Sequence, residues 1–267
     1  MANDGLGDRC KRFEQAEAGR KAMRGLPLLA RLDGRAFHTF TRGLRRPYDL
    51  GMSTCMIETT RYLVHETQAA VGYTQSDEIT LAWFESSQST SEYAFDGRFQ
   101  KIASVMAGMA SARFVQLAAR ELPTKADEVP HFDCRVWQVP TLADAVDVFV
   151  WREDDATKNS ITMAAGALYS DRELHGKDSA EKHELMFQKG VNWNDYPAFF
   201  KRGTYLARRG RERTLTDEER LRIPEAHRPA PDATFTRSSV VDLELPPARK
   251  VGNLAAVLFE AAAPTLR

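Results

Sequence analysis

Two aspartates stand where this chain turns. Asp33 closes the apolar run Leu28-Leu29-Ala30-Arg31-Leu32 and is followed at once by Gly34. Asp77, with Glu78 after it, separates Val71-Gly72-Tyr73-Thr74-Gln75 from Ile79-Thr80-Leu81-Ala82-Trp83-Phe84. Taken singly, an Asp-Gly after a strand is an ordinary turn and a Ser-Asp-Glu tip an ordinary solvated loop. Brought to one rim, the pair acquires a different chemistry. Carboxylates are hard oxygen ligands, and Mg²⁺ is usually held by one or two of them plus waters and substrate phosphates. Two such ions about 4 Å apart align an attacking oxygen with a leaving pyrophosphate. The Gly34 carbonyl could add a ligand, and a glycine lets phosphate oxygens approach the backbone closely. Residues 37–49 carry Arg42, Arg45 and Arg46, whose guanidinium groups suit a triphosphate through charge-assisted hydrogen bonds, although a solvated basic loop would look the same. The chemistry suggested is nucleotidyl transfer.

The elements that must position these residues follow from periodicity. Residues 28–33 form a short apolar strand ending at Gly34, and 50–70 keep a helical three-to-four spacing through Met52, Cys55, Met56 and Leu63. Residues 71–75 and 79–84 are rich in β-branched and aromatic side chains and make a hairpin with Ser76-Asp77-Glu78 at its tip. A polar loop at 86–91 leads to a helix over 98–121, ended by Pro123 and Pro130. A strand at 135–139 and a helix capped by Thr141 and running past Trp151 come next. The order β-α-β-β-α-β predicts an α+β, ferredoxin-like antiparallel sheet with helices on one face, the other face open, and additional C-terminal elements. In that topology the first strand and the hairpin are neighbours, which brings Asp33 and Asp77 together. Helical periodicity continues weakly over 161–168, residues 176–190 are polar, 224–247 suggest loops and short edge strands, and the Ala-rich end suggests a surface helix or frayed tail.

The chain has 267 residues with 37 Lys/Arg against 37 Asp/Glu, so any polyanion must be met by local basic surface. The balance is uneven: residues 1–50 hold 11 Lys/Arg and 6 Asp/Glu, and residues 201–213 hold 6 against 1. Lys201, Arg202, Arg208, Arg209, Arg211 and Arg213 form the densest basic run, which by itself reads as a solvated helix face. A 43% hydrophobic content excludes a disordered chain. Three separated cysteines without a C-x-x-C pair fit a reducing cytoplasm, and the lack of an apolar leader or an 18-residue apolar run predicts a soluble protein with no membrane partner. His175, His183 and His227 read as surface residues, and Trp83, Trp137 and Trp151 as core.

Three separated segments now carry a resemblance. Arg31-Leu32-Asp33-Gly34-Arg35-Ala36-Phe37-His38-Thr39-Phe40, Gln75-Ser76-Asp77-Glu78 and Phe132-Asp133-x-Arg135-Val136, in order within residues 7–203, resemble the tRNA(His) guanylyltransferase family, including its 3′-to-5′ polymerases. The resemblance implies a single catalytic palm-like domain over 1–267, with 1–223 carrying the catalytic and RNA-binding elements and 224–267 a Pro/Ala-rich segment. It implies two Mg²⁺ ions on Asp33, the Gly34 carbonyl and Asp77, with Glu78 as a further catalytic carboxylate. The backbone of Gly34, Arg35, Ala36, Phe37 and His38 would cradle a nucleoside triphosphate, with Ser76 as a further phosphate contact; the loop between Phe40 and Pro47 is shorter than in the eukaryotic members, so Arg46 stands as a nucleotide-binding candidate by its charge and not by a matched position. Asp49 and Lys101 match positions where the RNA 5′ end is activated, and Arg135, Asn159 and Lys182 match positions that meet a second triphosphate or the RNA end. The basic run 201–213 becomes the candidate tRNA backbone contact. ATP and GTP are the implied substrates, tRNA the partner, and a homotetramer the assembly.

The implied mechanism activates a 5′-monophosphorylated RNA by adenylation, after which the 3′-hydroxyl of GTP attacks the activated phosphate and expels AMP. A 5′-triphosphorylated RNA would skip activation. Members that add one guanosine to tRNA(His) read His-Ile-Asn-Asn after a Trp-Arg helix segment, whereas this chain has Thr157-Lys158-Asn159-Ser160. That departure favours template-dependent repair of tRNA 5′ ends over strict tRNA(His) guanylylation. A palm-type nucleotide cyclase would also use two carboxylates on a strand and hairpin but has no need of the Phe-Asp-x-Arg-Val strand. A non-catalytic RNA-binding protein would have no need of intact Asp33, Gly34, Asp77 and Glu78.

Overall fold

The computed structural model describes residues 5–84 and 93–267; the polar loop expected at 86–91 lies outside the described residues. In chain order the elements are α1 (Gly5–Ala16), β1 (Leu28–Gly34), α2 (Phe37–Phe40), α3 (Leu50–Thr67), β2 (Val71–Gln75), β3 (Glu78–Trp83), α4 (Phe99–Glu121), β4 (Phe132–Gln138) and α5 (Leu142–Gly166). There follow α6 (Asp171–Leu174), α7 (Ser179–Gln188), α8 (Ala198–Arg202), β5 (Thr204–Thr214), α9 (Asp217–Leu221), β6 (Thr234–Leu243) and α10 (Leu254–Phe259). The strands form one six-stranded sheet in the order β4-β1-β3-β2-β5-β6, antiparallel throughout. The predicted β-α-β-β-α-β unit is its heart.

Capping fixes where the helices begin. The Asp49 carboxylate accepts a hydrogen bond from the Met52 N–H (3.1 Å) and opens α3; Thr141 and Asp144 form a reciprocal capping box that opens α5. Helix α3 stops at Thr67, three residues short of the expected end, because Gln68 turns into a left-handed conformation (φ 59°).

Strand periodicity sorts the core into two layers. Leu28, Ala30 and Leu32 of β1 and Ile79 and Leu81 of β3 join Met56, Leu63, Ile102, Met106, Phe114 and Leu117 of α3 and α4. Leu29, Val71, Tyr73, Ala82 and Tyr205 join Ala145, Phe149 and Ala156 of α5 with Leu254, Val257 and Leu258 of α10. The second sheet face is therefore covered, where the β-α-β-β-α-β unit alone would leave it open. A third cluster, with Ile161, Met186 and Phe200, packs α5, α7 and α8 together.

The C-terminal third departs from the sequence expectation. The basic run occupies the end of α8 and most of β5, so Lys201 and Arg202 end a short helix while Arg208, Arg209, Arg211 and Arg213 lie on a strand and not on a helix face. Residues 224–247, read as loops and short edge strands, contain the ten-residue β6, paired to β5 from Tyr205↔Leu243 to Thr214↔Thr234. The Ala-rich end is anchored by buried α10. Trp83 and Trp137 pack in the core as expected, but Trp151 is 54% exposed. His175 and His227 are exposed, and His183 is half-buried, edge-on to Trp193 with ring centroids 5.4 Å apart.

Candidate active site

Asp33 is the last side chain of β1, paired across the sheet with Glu78 on β3 and Asp133 on β4. Gly34 donates its N–H to the Asp77 carbonyl (3.0 Å), which ties the end of β1 to the β2–β3 turn. That turn has two residues, Ser76 and Asp77, with Gln75 paired to Glu78. Ser76 sits at φ 52°, a region sparsely used by non-glycine residues and enriched at functional sites. Its hydroxyl donates to the Asp77 carboxylate at 3.0 Å. Burial, above all, raises the Asp77 pKa; the Ser76 hydrogen bond opposes this, and the nearby charge of Asp33 adds to it.

The chain leaves β1 through a glycine for a steric reason. A Cβ on Gly34 would lie 2.3 Å from the Phe37 ring. Phe37 and Phe40 stack edgewise and obliquely with Phe114 and Phe132, with centroids 5.1 to 5.6 Å apart, and this aromatic knot holds residues 34–40 against the sheet end.

A pocket of about 800 Å³ opens there. Gly34, Ala36, Phe37, His38, Arg46, Asp49, Ser76 and Asp77 all line it, together with Arg42 and Arg45. Its far wall is the end of α5 (Thr162, Met163, Gly166) with Phe199 and Phe200. Arg46 reaches the Gly166 carbonyl at 3.5 Å and so spans the pocket. Asn159 is exposed on α5 one turn before Thr162 and Met163, and Lys182 of α7 donates to the Thr162 hydroxyl at 3.0 Å, so both lie at the rim.

Other expected site residues stand apart from this lining. Arg35 faces His131 (3.2 Å), Lys101 lies over the Phe95 ring at 5.5 Å, and Arg135 is 3.8 Å from Asp133 at the sheet edge. The Glu78 carboxylate is engaged by Arg152 of α5. In the basic run, Lys201 donates to the Asn194 carbonyl, and Arg202 reaches Leu245 O (3.4 Å) and Glu153 (3.8 Å). Arg208 donates to Gln68 (2.8 Å), Arg209 to the carbonyls of Val257 and Leu258, and Arg213 makes a forked pair with Glu219 (2.7 Å). Burial lowers the Arg209 pKa. Arg211 sits on β5 opposite Arg237.

The donor set fits a hard divalent cation. Asp33 is near enough for its charge to act on Asp77, neither carboxylate has a Lys or Arg ion pair among the described residues, and the Gly34 carbonyl would be a third oxygen donor between them. Among the described residues no three Asp, Glu, His or Cys side chains group as a metal cage, so a Mg²⁺ ion held here would take its remaining oxygens from phosphates and water. Sequence reasoning missed Arg152 and the aromatic wall of Tyr48, Phe199 and Phe200. The first had a signal: Phe149, Arg152, Glu153 and Ala156 share one helical face, so two charges fall on an apolar stripe. The second had none, because residues 48 and 199–200 meet only in the fold.

Known proteins share this sequence pattern and fold. Residues 7–140, half of the chain, match the family model described as tRNAHis guanylyltransferase. The tRNA(His) guanylyltransferase of Schizosaccharomyces pombe is 28% identical over 214 residues, covering 74% of this chain and 80% of the relative. A bacterial tRNA(His) guanylyltransferase-like protein in complex with ATP superposes with a TM-score of 0.71 at 35% identity, over 77% of this chain and 87% of that one. A bacterial protein of the same description in complex with GTP gives 0.68 at 30% identity, over 92% and 95%. Sheet, rim carboxylates and pocket define a palm-like nucleotidyltransferase. Within that class, the chain belongs to the tRNA(His) guanylyltransferase family.

Proposed function

We propose that this enzyme transfers nucleotides to the 5′ end of a tRNA in the 3′-to-5′ direction, using ATP to activate a 5′-monophosphate and GTP or other nucleoside triphosphates as the added unit. The observation that carries this is the pocket lined by Asp77, Gly34, Arg42, Arg45 and Arg46, with Asp33, itself outside that lining, tied to the Asp77 turn through Gly34. In the first step a 5′-phosphate oxygen attacks the α-phosphorus of ATP and pyrophosphate leaves. In the second the 3′-hydroxyl of the incoming nucleotide attacks the adenylylated phosphate and AMP leaves.

The chain's own residues position and neutralise. Arg42, Arg45 and Arg46 border the triphosphate, the aromatic knot fixes the backbone at 34–38, and Asn159 and Lys182 meet the second substrate from the α5 rim. Asp33, Gly34 and Asp77 would hold two Mg²⁺ ions, which supply Lewis-acid stabilisation of the charge that develops on phosphate. Strand β5, paired to β6, offers Arg208 to the tRNA backbone, while Arg209 and Arg213 are held by partners within the chain, and the homotetramer and cytoplasmic setting belong to the same proposal.

Thr157-Lys158-Asn159-Ser160 in place of His-Ile-Asn-Asn favours templated 5′-end repair; strict guanosine addition to tRNA(His) is the second reading. Incubating enzyme with labelled 5′-truncated tRNA or full-length tRNA(His), Mg²⁺, ATP and the four nucleoside triphosphates separates them. Template-dependent filling of the truncated tRNA is expected; predominant non-templated G addition to tRNA(His) would select the second reading. Asp77→Asn should lower transfer by about 10³-fold or more while leaving tRNA binding intact. Equal extension by wild type and variant would reject the site.

A further inference from the structure

We infer that Arg152 is a positioning residue for the metal-binding turn: by holding Glu78 against α5 it fixes Asp77 beside Asp33. The inference deepens the proposed metal site and rests on it. Arg152 is only 5% exposed. Its guanidinium contacts the Glu78 carboxylate and the Asp155 carboxylate (3.2 Å), and its carbon centre lies 4.7 Å from the Trp151 ring centroid. A charge this deep is tolerated when its donors are met on several sides, and the planar fork of arginine meets two carboxylates and a ring face at once.

Glu78 is the residue after Asp77, the first of β3, and the cross-strand partner of both Asp33 and Gln75. With its carboxylate engaged by Arg152, it serves as the anchor of the turn. Helix α5 also supplies the opposite wall of the pocket at Thr162, Met163 and Gly166. The Arg152–Glu78 pair is thus a strut between the turn that bears Asp77 and the helix that faces it. Partners of this kind orient ligating carboxylates without touching the metal.

The test measures Mn²⁺ binding by electron paramagnetic resonance, in the presence of a non-hydrolysable ATP analogue, with thermal unfolding to confirm the folded state. Arg152→Met should weaken Mn²⁺ binding by about 10- to 100-fold. Arg152→Lys should recover part of that loss, since an ammonium keeps the charge but loses the fork. Adding Glu78→Gln to Arg152→Met should change Mn²⁺ affinity by less than about twofold, because both substitutions remove one interaction. Wild-type Mn²⁺ affinity in Arg152→Met overturns the inference and leaves the metal site standing; if Arg152→Met does not fold, wild-type affinity in Arg152→Lys does so. Absence of Mn²⁺ binding by the wild type, or undiminished binding by Asp77→Asn, overturns the metal site and this inference with it.

Discussion

On the side of the sheet that α3 and α4 cover, the buried contacts are aliphatic and aromatic: Leu28, Leu32, Ile79 and Leu81 against Met56, Leu63, Ile102 and Phe114. On the side that α5 covers, the same strands present Glu78 to Arg152, and Tyr205 donates its hydroxyl to Glu153 at 3.0 Å. Glu153 also accepts the Ala248 N–H (2.9 Å), so one buried carboxylate joins α5, β5 and the segment before α10. Both layers seal a sheet face, but only the second continues into the rim carboxylates. Strand alternation explains the division: Leu28, Ala30 and Leu32 share one face, which leaves Leu29, Arg31 and Asp33 on the other. A dry layer can be optimised for packing alone, whereas the layer beside Asp33 must bury charge and pair it.

The largest stability effect should come from breaking the dry layer. Phe114→Ala removes the centre of the aromatic knot and should cost ~3–5 kcal/mol, read by denaturant unfolding. Because the knot holds residues 34–40, ATP affinity should fall in the same variant even under conditions where it remains folded; an unchanged affinity would separate the dry layer from the site.

Gly34→Ala probes the seam between the layers. The new methyl group would displace Phe37, and overpacking of this kind costs about 1–3 kcal/mol. Calorimetric titration with ATP should show weakened binding, and a variant with wild-type stability and affinity would contradict the close approach.

Glu153→Gln sharpens the contrast, because its single amide oxygen can still accept from the Ala248 N–H and its NH2 can donate to the Tyr205 hydroxyl oxygen, while the charge is removed. Burial is the main cause of the raised Glu153 pKa, opposed by those two hydrogen bonds. An acid whose folded pKa lies above its unfolded value binds more protons when folded, so stability is present at low pH and falls as pH rises through the folded value. The stability advantage of Glu153→Gln over wild type should therefore grow as pH rises through that window, as followed by thermal unfolding in a pH series. A constant difference would show that burial does not perturb Glu153.

The smallest effect belongs to Arg208 on β5, whose guanidinium donates to Gln68 just past α3. Arg208→Ala should leave nucleotide transfer per bound complex unchanged and reduce the slope of log affinity for tRNA against log salt by about 1. An unchanged slope would remove Arg208 from the RNA contact.

Much of the site was legible because its markers are local. Asp33-Gly34 and Ser76-Asp77-Glu78 sit at the ends of strands whose composition announces them, and the β-α-β-β-α-β order alone makes those strands neighbours. Residues 34, 36–38 and 41–49 line one pocket for the same reason, belonging to a single excursion from the end of β1. The basic run misled because charge density carries no period: Arg208, Arg209, Arg211 and Arg213 suit a helix face as well as a strand, and only pairing with β6 decides. Trp151 misled because an aromatic residue on a predicted helix reads as core, whereas its ring lies outside with Arg152 against it.

The sequence by itself determined the elements from β1 to α5 in their order, and that two carboxylates end at one rim, because periodicity, capping residues and turn chemistry act over a few neighbours. Only the tertiary structure decided that Glu78 is held by Arg152 across 74 residues, that Arg209 and Arg213 are engaged within the chain, and that the second sheet face is closed. Those outcomes depend on which distant groups share a desolvated volume, and a buried charge takes whatever partner the packing brings to it.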